Sequence, residues 1–87
     1  MTQSSLQATK AFGINVKWMR QSHNFSQEVL AQQCGIYRSY LSRIESGHAN
    51  PTLTVIVALA RSLGIEPHEL LVADTLTLPA SMVTEMG

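Results

Sequence analysis

The chain has 87 residues, 45% of them hydrophobic, so one small domain is expected, burying about 60–65% of the surface its unfolded chain exposes. Six basic and six acidic side chains cancel, which excludes a uniformly basic surface; yet residues 1–48 hold five basic against two acidic groups (+3) and residues 49–87 one against four (−3). The single cysteine, Cys34, excludes an internal disulfide framework and suits a reducing cytoplasm; no signal peptide is expected, and the longest apolar run, residues 55–60, is too short to span a bilayer.

Apolar spacing is helical almost throughout, and strand signals are absent. A first helix is predicted from about Leu6 to Ser22, with Ala8, Phe12, Val16 and Met19 on one face. Ser26 is a good N-cap for a second helix, with Glu28 in the first turn and Gly35 as the stop. About three residues later a third helix runs from Tyr37 to Ser46, with Tyr40, Leu41 and Ile44 as its apolar side and Gly47 as its end. Thr52 caps a fourth helix, Leu53 to Leu63, closed by Gly64. Glu66-Pro67 opens a short fifth helix whose core face is Leu70, Leu71 and Val72. From Asp74 the reading is ambiguous: residues 75–78 alternate like a strand, and Pro79 starts a turn.

Two short helices joined by a tight glycine-containing turn describe a helix-turn-helix, whose second helix enters the major groove of DNA. Here that helix would present Arg38, Ser39, Ser42 and Arg43 on one face. Arginine can donate two hydrogen bonds to guanine, and serine can bond several base edges. A plain helical bundle with two arginines on a solvated face remains the alternative from these residues alone.

The stretch "FSQEVLAQQCGIYRSYLSRIESGHANPTL", with Leu63-Gly64 after it and Gly13, Val16, Met19 and Arg20 before it, resembles the Cro/CI-type (XRE-like) helix-turn-helix family. The resemblance spans roughly residues 8–73. It implies an all-α, compact five-helix, lambda-repressor-like domain that binds a palindromic operator as a dimer. By the same resemblance, Arg38, Ser39, Ser42 and Arg43 stand at base-reading positions, and Gln27 at a phosphate-contacting one. Ser46, His48 and Asn50 stand where the chain approaches phosphate. Arg20 and Glu45 match a buried salt bridge, which makes Arg20 structural rather than a phosphate contact. Tyr37 departs from the family, which favours serine or threonine as the N-cap there. The cap is then lost, and the phenol is left to bond a phosphate.

Other residues point to no chemistry. His23, His48 and His68 lack metal-ligand spacing and read as surface residues, so no metal or cofactor is expected. Cys34 reads as a packing residue. No glycine-rich phosphate loop, nucleophile elbow or paired-carboxylate arrangement appears, so no enzyme is expected. Hydrophobicity is in surplus on two helices. Ala11, Ile14 and Trp18 form a second stripe on the first. On the fourth, Leu53, Ile56, Ala60 and Leu63 suffice for the core, leaving Val55, Ala58 and Leu59 for another side. A helix apolar on two sides packs against two things. Val55, Ala58, Leu59, Leu70, Leu76 and Leu78 are therefore the candidate dimer interface. A tail with Leu76, Leu78, Met82 and Val83 is the candidate cover for Trp18, in its own chain or a partner's.

The reading is a DNA-binding domain over 6–73, with its helix-turn-helix at 26–46, and a tail over 74–87 that packs or dimerises. The function expected is a cytoplasmic, homodimeric repressor on an inverted-repeat operator in double-stranded DNA, of plasmid, phage or restriction-system type. No membrane association and no small-molecule effector are expected. The alternatives are an activator or controller that also touches RNA polymerase, and an antitoxin-like protein-interaction subunit.

Overall fold

Side chains that can close a helix end recur along this chain at short intervals, and they delimit the elements. The computed structural model describes residues 2–72, with side chains from residue 7 onward. Among them are five helices and no strand: α1 (Thr2–Ser22), α2 (Gln27–Cys34), α3 (Arg38–Glu45), α4 (Leu53–Leu63) and α5 (Pro67–Leu70). Leu76, Leu78, Met82 and Val83, the strand-like stretch at 75–78 and the Pro79 turn lie outside the described residues.

The caps are local chemistry. Ser26 Oγ accepts the Val29 amide at 3.0 Å, and Thr52 Oγ1 accepts the Val55 amide at 3.3 Å. Gly35 and Gly64, both at φ 71°, end α2 and α4 in the left-handed conformation, so that the next amides (Ile36 and Ile65) can turn back to the Ala31 and Ala60 carbonyls at 3.0 Å. At α5 the Glu69 carboxylate accepts the Glu66 amide at 2.9 Å. Tyr37 occupies the N-cap of α3 without a side-chain bond, so α3 begins at Arg38, not Tyr37. Its last residue is Glu45, one residue inside the expected end, and Ser46 is the C-cap. Helix α1 starts four residues earlier than its apolar pattern predicts, at Thr2.

The core is shared by every helix: Phe12, Val16, Leu30, Ala31, Leu41, Ile44, Leu59, Ala60, Leu63 and Leu70. Each fully buried Leu, Ile or Val there contributes about 1.5–3 kcal/mol over leaving it in water. Helix α3 packs against α1 and α2, and α4 bridges α2 and α5. The closest approach is at Gly13. A β-carbon there would collide with the Ile44 carbonyl oxygen and sit 2.8 Å from that of Glu45, so α1 can press on the α3 backbone only through a glycine.

Several expected faces shift. Ala8 is exposed, whereas Phe12 and Val16 are buried and Met19 packs at the core edge. Of the second α1 stripe, Ala11 is buried, but Ile14 and Trp18 are exposed, Trp18 by 65%. On α4 the assignment of two leucines is reversed. Leu53, expected in the core, is 70% exposed, and Leu59, expected at an interface, is fully buried. Leu53 occupies the first position of α4, whereas Leu59 lies on the same turn as the core residues Ala60 and Leu63. Leu70 is also fully buried and Leu71 is exposed, so α5 inserts one leucine, not two.

Candidate nucleic-acid interface

Helix α3 divides cleanly by its 100° per residue rotation. Leu41, Ile44 and Glu45 are buried and Tyr40 is half-buried, while Arg38, Ser39 and Arg43 are exposed and Ser42 lies at the boundary. The four candidate base readers therefore share one outward strip, held by a core face on the other side. Three residues, 35–37, separate this helix from α2.

The strip is wired to the interior through side chains. Arg20, on α1, donates from Nε to Glu45 Oε2 at 2.6 Å and from Nη2 to Glu45 Oε1 at 3.1 Å. Its Nη1 donates to the Phe25 carbonyl at 2.8 Å. Arg20 and Glu45 are each only 8% exposed. One guanidinium thus ties the end of α1, the connection to α2 and the end of α3 together, as a bidentate fork does best. Arg20 thus spends all three of its nitrogens on bonds inside the domain.

Gln27, at the first position of α2, donates from Nε2 to Glu45 Oε1 at 2.9 Å. Its Oε1 accepts from Arg38 Nη1, also at 2.9 Å. The expected phosphate-contacting residue is thus already engaged at both ends of its amide. It retains one amide hydrogen, since an NH2 group has two.

The loop after α3 closes on itself. Arg43 Nη2 donates to the His48 carbonyl at 3.0 Å, Ser46 Oγ donates to the Arg43 carbonyl at 3.1 Å, and Ser46 Oγ pairs with His48 Nδ1 at 2.9 Å. Ser46, His48 and Asn50 are exposed along one edge of this loop, and Tyr37 is 84% exposed beside the start of α3. The residues expected from sequence at 37, 38, 39, 42, 43, 46, 48 and 50 are thus all in or flanking α3.

Sequence reasoning missed Asn15. It is 5% exposed, and its Nδ2 donates to the Leu70 carbonyl at 2.8 Å and to the Val72 carbonyl at 3.1 Å. These bonds satisfy the open C-terminal end of α5 and fasten it to α1. The available signal was a lone amide inside the apolar stripe Ala11–Ile14–Trp18. Cys34 links α2 to α4, its Sγ lying 3.4 Å from Ser62 Oγ as donor, and burial pushes the thiol above its ordinary value despite that bond. Of the interface candidates, Leu59 and Leu70 are spent in the core. Val55 packs against the core edge, and Ala58 lines a shallow groove with Leu53, Thr54, Val57 and Arg61. Among the described residues no three His, Cys, Asp or Glu side chains are grouped to hold a metal ion, and no helix is long and apolar enough to cross a membrane.

A short helix, a three-residue turn and a second helix with a buried back and an arginine-bearing front define a helix-turn-helix protein. A family model described as Helix-turn-helix matches residues 16–70, and the chain belongs to that family, of the XRE-like type. It is similar to the control protein C.BamHI of Bacillus amyloliquefaciens, 43% identical over 61 residues that cover 69% of this chain and 75% of that protein. The immunity repressor protein of Bacillus phage phi105 is 34% identical over 64 residues, covering 74% of this chain and 44% of that one. The crystal structure of the restriction-modification controller protein C.AhdI from Aeromonas hydrophila superposes with a TM-score of 0.70 at 40% identity, covering 71% of this chain and 94% of that chain. The chain is a DNA-binding transcriptional regulator and not an enzyme.

Proposed function

We propose that the protein is a repressor that occupies a palindromic operator as a homodimer, inserting α3 of each copy into successive major grooves ~34 Å apart. Residues 6–73 are read as the DNA-binding unit, and the sequence of residues 74–87 as an extension that serves packing or dimerisation. The observation that carries this reading is the front of α3, where Arg38 is held outward by Gln27 while Leu41 and Ile44 anchor the helix behind it.

Arg38, Ser39, Ser42 and Arg43 read bases. Tyr37, Ser46, His48 and Asn50 approach phosphates on either side, and Gln27 reaches one with its remaining amide hydrogen. Replacing Arg38 or Arg43 with alanine should cost about 1–3 kcal/mol of operator binding and relax preference at one base pair per half-site. Footprinting and titration against singly substituted operators measure this. Equal weakening on every sequence would assign both arginines to the backbone instead.

The groove along α4, lined by Leu53, Thr54, Val57, Ala58 and Arg61, supports dimerisation through α4. Sedimentation at tens of micromolar should show a dimer, and a monomer that persists with operator DNA present would remove this part. A dimer on promoter DNA blocks polymerase without further machinery, in the cytoplasm and with no small-molecule effector. Similarity to control and controller proteins motivates a second reading, in which the bound dimer also touches RNA polymerase and activates. Transcription from the bound promoter, measured with and without the protein, separates the two. An antitoxin-like subunit that binds only protein has no use for the Arg38–Arg43 strip, and a gel shift on the DNA upstream of the coding region tests it.

A further inference from the structure

The loop that follows α3 has a neighbour from near the start of the chain. Gly47, at φ 81°, lies against Lys10 of α1. A β-carbon on Gly47 would sit 2.9 Å from Lys10 Cγ and 3.1 Å from Lys10 Cα, so the lysine and its backbone run directly over the glycine. We propose that Lys10 is a DNA phosphate-binding residue, carried by α1 to the end of helix α3. The inference rests on the reading of the loop at 46–50 as one that approaches phosphate.

Position is the first argument. Gly47 is flanked by Ser46 and His48, both exposed. Three bonds separate Lys10 Cγ from its ammonium, so the charge lies within about 4 Å of a carbon packed on the loop. A lysine covers a surface with its stem and keeps its charged head in water, and Lys10 is exposed.

Charge is the second. Among the described residues the one ion pair is Arg20 with Glu45, inside the domain. Lys10 has no carboxylate partner there. The other described acids are Glu28 in the first turn of α2, and Glu66 and Glu69 at α5. Arg43 meets the same loop from α3, through the His48 carbonyl at 3.0 Å. One exposed loop is thus bracketed by a cation from α1 and a cation from α3, neither paired with a carboxylate. Such an arrangement raises the local positive potential, which is what draws a phosphate. The fold gains no ion pair from the Lys10 ammonium, whereas it uses every nitrogen of Arg20.

The two kinds of cation do different work. Arg38 and Arg43 are placed to distinguish base pairs. An ammonium on a phosphate strengthens every sequence alike and fixes how the domain sits on the duplex.

The test uses the full chain and the upstream DNA that it shifts. Lys10→Met keeps the stem over Gly47 and removes the charge; Lys10→Arg keeps the charge. Affinity is measured against salt concentration, and phosphates whose ethylation blocks binding are mapped. Lys10→Met is expected to bind every sequence about fivefold more weakly per copy at about 0.15 M salt. The slope of log affinity against log salt should fall by about 0.9 per copy. One phosphate per half-site should cease to interfere. Lys10→Arg should restore all three. An ethylation pattern unchanged in Lys10→Met overturns the contact, even if the slope falls, because the charge then acts only through the general field. An unchanged slope overturns it too, as does a loss confined to one base pair. His48→Ala tests the underlying reading separately. If it removes an interfering phosphate and Lys10→Met removes none, the role of Lys10 alone fails. If His48→Ala and Asn50→Ala both leave the pattern unchanged, the approach of the loop to phosphate fails.

Discussion

Glu45→Ala should destabilise the domain by about 3–5 kcal/mol, the range found when one partner of a buried ion pair is removed. The reason lies on the Arg20 side. Its guanidinium is 8% exposed, and without the carboxylate it keeps only the Phe25 carbonyl among its three acceptor atoms. Domains of this size have about 5–15 kcal/mol in total, so the variant loses a large share of its stability. Thermal unfolding followed by circular dichroism should show this, at roughly 4–8 °C per kcal/mol. Replacing both partners with apolar residues of similar volume, Arg20→Met with Glu45→Leu, should regain most of the loss, because no charge is then stranded. A fall of less than about 1 kcal/mol in Glu45→Ala would mean that water screens the pair as it screens a surface bridge.

Gly13→Ala should cost about 3 kcal/mol, the upper end for inserting a methyl group into a packed interior. Alanine is the better helix former by about 1 kcal/mol, so propensity alone predicts the opposite sign. What decides is that the added carbon meets two backbone carbonyl oxygens of α3, those of Ile44 and Glu45. Backbone at the buried end of α3 cannot move aside as a side-chain tip can. Helix α1 must then lift away from α3, which also stretches the Arg20–Glu45 bonds between them. Urea unfolding of Gly13→Ala against the original protein gives the number, and a neutral or stabilising result would contradict so close an approach. Operator affinity should fall as well at temperatures where the variant remains folded, because α1 is what backs the recognition helix.

Helix ends were legible in the sequence because capping is local. Ser26, Gly35, Thr52 and Gly64 act on amides and carbonyls within a few residues of themselves, and each element they bound lies where they place it. The outward strip on α3 was legible for the same kind of reason, since Leu41 and Ile44 alternate with Arg38, Ser42 and Arg43 at helical spacing. The exchange of Leu53 and Leu59 was not. Every residue from 55 to 60 is apolar, so periodicity has no polar face to set the phase, and only packing against α2 and α5 chooses which leucine is inside.

The sequence by itself determined the class: the number and order of the helices, the three-residue turn, an arginine-bearing third helix and the pairing of Arg20 with Glu45 that the family resemblance implied. These follow from local chemistry or from a motif whose spacing is carried in the chain. Tertiary structure alone decided the connections. Gln27 reaches partners 18 and 11 residues away, Asn15 reaches carbonyls 55 and 57 residues away, and Gly13 matters only because two α3 carbonyls arrive beside it. A side chain's type states what it can donate or accept. Which group it meets is set by how the helices pack, and in this protein that packing joins the buried ion pair to the arginine on the surface.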